Sequence, residues 1–200
     1  MSDKVRKIIG SLLLVAGVLG LCSSFAISYI GEKRNREIID DFQWDTVLDE
    51  PAMDFEEDNK KKEENLFRKN VVAIVNIPKV DIRYPVVKGT DAGTLKKALG
   101  YFEETAMPGQ KGNFAVAGHR NSSYAKYFNR LDEVQVGDEI IVETKEKTYT
   151  YVVDKTFKIH ETETNVLDQT EDRRITLITC TNGYKPKYRI VVQGVLKESA

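Results

Sequence analysis

The chain has 200 residues, 41% of them hydrophobic, with 30 basic against 31 acidic side chains and a net charge of −1. That supplies enough apolar material for one globular core plus extensions. It excludes the basic stripe that nucleic-acid binding needs, because Lys and Arg are interspersed with acids.

The first element is an apolar helix. Lys4, Arg6 and Lys7 lie in a short tail (residues 1–7), and Ile8 to Ile30 is a run of 23 residues without a charge. At ~1.5 Å per residue it spans roughly 35 Å, enough for a ~30 Å hydrocarbon layer. The triplet Ser24–Ala26 resembles a cleavage site, but the apolar run continues past it, so a retained anchor is expected. The basic tail is expected inside and the remainder outside. Lys33, Arg34 and Arg36 just after the run weaken that bias, yet a short tail is easier to leave behind than the remainder.

Residues 31–70 read as a stalk. Eleven acids fall between Asp40 and Glu64, offset only by Lys60, Lys61 and Lys62. Such a run reads as a solvated spacer or a loosely held helix. Phe42, Trp44, Leu48, Met53, Phe55, Leu66 and Phe67 are scattered through it and could dock part of it on the domain that follows.

From Val71 to the end at Ala200 the texture changes. "VVAIVNIPKVDIRYPVV" is β-branched and alternating. "DAGTLKKALGYF" reads as one short helix with Asp91 as its N-cap. "GNFAVAGH" is a short buried strand, and "SSYAKYFNRLDEV" has helical spacing in Tyr124, Phe128 and Leu131. "DEIIVET", "KTYTYVVDKTFKI", "RRITLIT" and "KYRIVVQGVLK" are further strands. About eight short strands and two short helices favour an all-β barrel or sandwich over a parallel α/β sheet.

Two cysteines are present, Cys22 and Cys180. Cys22 lies in the apolar run, so Cys180 is a free thiol in an external domain. With His119 and His160 it falls short of the four ligands of a structural zinc site. In "ITLITC" as a strand, Thr176, Ile178 and Cys180 share one face and Ile175, Leu177 and Thr179 the other. A thiol at a strand end is reachable on rigid backbone, although most free cysteines are inert and buried. A nucleophilic thiol needs a basic or cationic neighbour. His119 closes a second strand where Gly118 runs into a polar loop. His160 stands among charges and reads as a surface residue. Arg189 opens the last strand, nine positions after Cys180, and lies beside the thiol if those strands pair. There it suits the oxyanion of an attacked carbonyl.

"TLITC" with an arginine opening the next strand, "GNFAVAGHR" upstream and an N-terminal anchor resemble the sortases, the cysteine transpeptidases of Gram-positive bacteria. The resemblance covers roughly residues 70–197. It implies a closed eight-stranded β-barrel with short helices. It implies Cys180 as nucleophile, His119 as general acid and base, and Arg189 as the group that steadies substrate and oxyanion. Thr179 matches a position that lines the site, and Ala117, Val166 and Leu167 are expected against the substrate. The implied substrates are surface proteins with a Leu-Pro-x-Thr-Gly-like sorting signal. The acceptor would be an amine of a peptidoglycan precursor or another protein. The implied location is the plasma membrane, single-pass, with the barrel outside.

Within the family, the chain lacks the Asp-Pro-aromatic triplet of pilin-polymerising members and ends without a second span. The segment from Lys158 to Arg173 is too short for the helical insertion of class B. A class A or class D likeness follows. Glu103, Glu104, Glu161, Glu163 and Asp168 invite comparison with the calcium-binding members, but Gln169 stands where the pattern puts an acid, so no metal is expected. A protease that hydrolyses its acyl enzyme, and a non-catalytic binding barrel, are the alternatives.

Overall fold

The computed structural model describes residues 3–44, 55–120, 125–183 and 185–197. The β-branched, alternating runs form β1 (Val71–Ile77), β2 (Ile82–Lys88), β3 (Leu99–Tyr101), β4 (Gly112–Ala117), β5 (Glu139–Glu143), β6 (Thr148–His160), β7 (Arg173–Cys180) and β8 (Tyr188–Leu196). They close into a barrel in the order β1-β2-β3-β4-β7-β8-β6-β5. The β2–β3 and β4–β7 neighbours run parallel and the other pairs antiparallel. Alternation sends Val75, Phe114, Val116, Ile175, Leu177 and Val192 inward, where each is at most 1% exposed.

Two predicted helices come out differently. Asp91 does cap α3 (Ala92–Lys97), its carboxylate accepting the Gly93 and Thr94 N–H groups. The helix stops there instead of running to Phe102, because Ala98 turns extended and Leu99–Tyr101 pair with both β2 and β4. α3 buries none of its own side chains, so strand pairing outweighs propensity. In "SSYAKYFNRLDEV", residues 121–124 lie outside the described residues. The rest makes turns and a single 3-10 turn at Leu131–Glu133. Tyr127 sits at φ 33°, which an α-helix cannot accommodate. Phe128 and Leu131 nevertheless fill the core as their spacing suggested, joined by Tyr127, which that spacing did not include.

Part of the expected stalk docks on the domain as helix, with Phe42 and Phe67 among the docking side chains. α1 (Asp3–Trp44) is one helix that runs through the apolar segment and on into residues 31–44. Asn35, Ile38, Ile39 and Phe42 recur at helical spacing and form a buried stripe. Ile38, Ile39 and Phe42 pack on Val71, Ile74, Val87 and Ala98, the outer side of β1–β2. Glu32 accepts a 2.7 Å bond from the Tyr84 hydroxyl. Burial first, then that bond, push the Tyr84 phenol well above its usual range, so it remains a donor.

α2 (Phe55–Lys69) lies against α1. Arg34 holds Glu64 in a two-pronged contact at 2.7 and 3.1 Å and covers the Phe67 ring, and Arg68 pairs with Asp41. The acidic run is therefore partly neutralised by basic partners rather than left to solvent. Trp44 is described as backbone only, as is Phe55, and Leu48 and Met53 lie outside the described residues.

Apolar side chains from Ile9 to Ile30 are bare, with Leu21 and Phe25 about three-quarters exposed at 75% and 76%. Among the described residues, α1 is the one helix long and apolar enough to cross a membrane. Charges from Glu32 onward limit the span itself to residues 8–30.

Candidate active site

β4 and β7 are parallel neighbours, with Ala117 opposite Ile178. β7 and β8 are antiparallel, with Cys180 opposite Arg189. Carrying the β4–β7 register two residues on sets His119 beside Cys180. His119, Cys180 and Arg189 therefore form one row across three adjacent strands, spaced about 4.8 Å per strand. All three are half-buried. Since Ile175 and Leu177 point into the core, Cys180 and Ile178 point outward, as does Arg189. The row lies on the barrel's outer face at the end of three strands.

Backbone bonds hold His119 in place. The Gly118 N–H donates to the Ile178 carbonyl at 3.0 Å, and the His119 carbonyl accepts from the Phe128 N–H at 3.1 Å. Gly118 has to be glycine, because a Cβ would overlap the Leu99 methyl and the Phe128 ring. Thr179 departs from its expected role. Its side chain is 2% exposed and turned to the interior, where its hydroxyl donates to the Gly118 carbonyl at 2.8 Å. It cannot touch a substrate on the outer face. It ties the residue before Cys180 to the residue before His119, a bond worth about 1 kcal/mol.

Ala117 and Ile178 sit side by side on the outer face and are partly exposed. Val166 and Leu167 belong to a 3-10 turn, Asn165–Leu167, in the β6–β7 connection. They pack with Ile159, Val191, Phe157 and Ile178 in an apolar cluster one step along β7 from Cys180. Val166 is 9% exposed, so most of it serves packing, while Leu167 keeps an open edge.

Arg189 is held from its own loop and from the residue that follows β6. Its Nη1 donates to the carbonyls of Pro186 (2.7 Å) and Tyr188 (3.2 Å), and its Nη2 meets Glu161 at 2.8 Å. His160 pairs opposite Tyr188, one residue out of phase with Ile159 and Arg189, so it faces the other side of the pleat. Its ring lies edge-on to Tyr188 and its Nδ1 contacts the Thr162 hydroxyl at 2.9 Å. His119→Ala is accordingly expected to slow turnover at least ~10²-fold, the scale of a lost acid–base group. His160→Ala should change it little. Steady-state rates on a cleavable peptide check both, and a reversed order would remove His119 from the site.

Sequence reasoning passed over Arg120. It is 8% exposed, its Nε donating to Asn182 in the loop after Cys180 (2.7 Å) and its Nη2 to Asp132 (2.9 Å). It braces the loop that follows the thiol from the residue that follows the histidine. Gln169 accepts the Asn113 N–H at 3.1 Å and donates to the Glu104 carbonyl at 3.4 Å. Among the described residues no group of three or more His, Cys, Asp or Glu converges as a metal site would require.

A family model described as a sortase domain matches residues 75–197. The chain belongs to the sortase family. Sortase A of Listeria monocytogenes is 36% identical over 129 residues, which is 64% of this chain and 58% of that protein. Sortase A of Bacillus anthracis is 26% identical over 201 residues, 97% of this chain and 95% of that one. This sortase thus spans the Bacillus protein almost fully and little more than half of the Listeria protein. A solved structure of a Clostridium perfringens sortase D5 transpeptidase superposes with a TM-score of 0.63 at 30% identity, covering 86% of this chain and all of that one. Sortases A, D and E all appear among the relatives.

Proposed function

We propose that this sortase is a membrane-anchored cysteine transpeptidase acting on a Leu-Pro-x-Thr-Gly-like sorting signal. The observation that carries the reading is the single row of His119, Cys180 and Arg189 on three adjacent strands. The Cys180 thiolate attacks the carbonyl carbon of the Thr–Gly bond. The oxygen takes up the negative charge, and the Arg189 guanidinium stabilises it. Collapse breaks the C–N bond while protonated His119 donates its proton to the departing amine nitrogen, leaving a thioester. An acceptor amine then attacks the thioester carbonyl. His119 takes the amine's proton, the thiolate leaves, and a new amide remains. Ala117, Ile178 and Leu167 offer the apolar surface beside the thiol for the Leu-Pro part of the signal.

The acceptor is an amine of a cell-wall precursor or of another protein. The short basic tail (Lys4, Arg6, Lys7) supports a topology with the N-terminus inside and the barrel outside. The likeness to sortases A and D supports that subclass over the pilin-polymerising one. The reading assigns no step to a metal, because Gln169 stands where the calcium-binding pattern puts an acid.

The test is incubation with a Leu-Pro-Ala-Thr-Gly-Gly peptide, with and without triglycine, each in the presence of a chelator. A ligated product is expected. Cleavage without ligation would make the protein a protease, and no cleavage a binding barrel.

A further inference from the structure

Behind the row, a line of polar side chains, two of them buried, crosses β8, β7 and β4 on the outer face. Gln193 Nε2 donates to the Thr176 hydroxyl at 3.1 Å, and that hydroxyl donates to Asn113 Oδ1 at 2.7 Å. Asn113 Nδ2 then donates to the carbonyls of Val166 at 2.8 Å and Asp168 at 3.3 Å. Asn113 is 1% exposed and Thr176 0%. Every link is satisfied, and the line ends on the backbone of the 3-10 turn that carries Val166 and Leu167.

We propose that Asn113 is a positioning residue that fixes the height of this turn over the groove and so sets how tightly the apolar part of the peptide is held. The turn also rests on the apolar cluster of Ile159, Val166, Val191 and their neighbours, and just beyond it Gln169 bonds the Asn113 N–H and the Glu104 carbonyl. Apolar contact is non-directional and does not by itself fix a register. Hydrogen bonds from a buried amide do, because a shifted turn would leave both donors unpaired. Asn113 lies on β4, the strand that leads to His119, and Thr176 on β7, the strand that leads to Cys180. The line thereby references the substrate wall to the strands that carry the reacting groups. Asn113 touches no substrate itself. The inference rests on the transpeptidase reading for its effect on peptide binding, but not for its effect on the turn.

Full-length protein in detergent micelles tests it with three variants. Asn113→Asp keeps the size and the acceptor for Thr176 but cannot donate to the turn. Asn113→Ala removes the bonds without adding charge. Thr176→Val breaks the line on the other side of Asn113 and leaves its donors in place. Both Asn113 variants should raise KM for the Leu-Pro-Ala-Thr-Gly-Gly peptide about tenfold, the scale of a lost buried hydrogen bond, with kcat nearly unchanged. Exchange of the Leu167 and Asp168 amides, which close the turn onto Thr164 and Asn165, should quicken by a similar factor. Thr176→Val, which leaves both bonds to the turn in place, should move each by clearly less than the Asn113 variants do.

In the wild type, the Asn113 side-chain amide protons should exchange slowly in NMR, a measurement that needs no variant to fold. Rapid exchange there would overturn the proposal. So would an unchanged KM, a fall in kcat alone, or a Thr176→Val effect equal to that of Asn113→Asp. If the wild type turned over no peptide, the functional reading would fail, while the amide exchange would still decide whether Asn113 holds the turn.

Discussion

Cys180→Ala is expected to abolish cleavage and ligation and to leave the fold unchanged. The thiol ends β7 on the outer face, half-buried and outside the apolar clusters, so its loss removes little packing. A stability change of about 0.5 kcal/mol or less should follow, the range for a substitution that opens no core cavity. The activity loss has no comparable bound, because no other thiol stands near His119 or Arg189. Cys22, the second cysteine, lies within the apolar part of α1. Thermal melts and peptide turnover, measured on the same preparation, separate the two effects. Mass spectrometry after methanethiosulfonate treatment should place the inactivating adduct on Cys180. Residual ligation by the alanine variant would remove the assignment.

Arg189→Ala is expected to lower kcat ~10²–10³-fold, the scale of losing one oxyanion donor. The loss should fall on kcat because the oxyanion exists only after attack. Arg189→Lys keeps the charge but loses the planar fork, and should retain part of the activity. The fork already serves the carbonyls of Pro186 and Tyr188 and the Glu161 carboxylate. A lysine ammonium has three donors and cannot satisfy those groups while reaching a substrate oxygen. A pure KM effect would instead make Arg189 a clamp on the bound peptide.

The barrel was legible because its strands are β-branched and alternating. β7 and β8 also announced their register, since the nine-residue spacing from Cys180 to Arg189 closes as an antiparallel pair. β3 was not legible. It has three residues and is made by pairing on both sides, so its sequence carries only the helical look of the segment before it. The stripe Asn35, Ile38, Ile39 and Phe42 was present in the sequence, but the acid-rich composition around it argued for a spacer.

The residues proposed to react announce themselves by type and by strand ends. Its supports do not. Asn113 meets a carbonyl 53 residues away and Arg120 a side chain 62 residues away. No local pattern marks such partners. Thr179 was misjudged for the opposite reason: adjacency to Cys180 suggested the groove, while strand alternation, already visible in the sequence, sends it to the other face.

α1 docks on β1 and β2, and the row of His119, Cys180 and Arg189 sits on β4, β7 and β8. Around the barrel two strands separate β1–β2 from β7–β8 on either side, so the anchor grips the wall diametrically across from the thiol. With residues 8–30 in a bilayer, the barrel does not swing on a string. It is clamped to a helix that emerges from the lipid and, over residues 31–44, rises only about 20 Å. A partner in the same membrane would then meet a thiol that lies on the far side of the barrel from the docked helix.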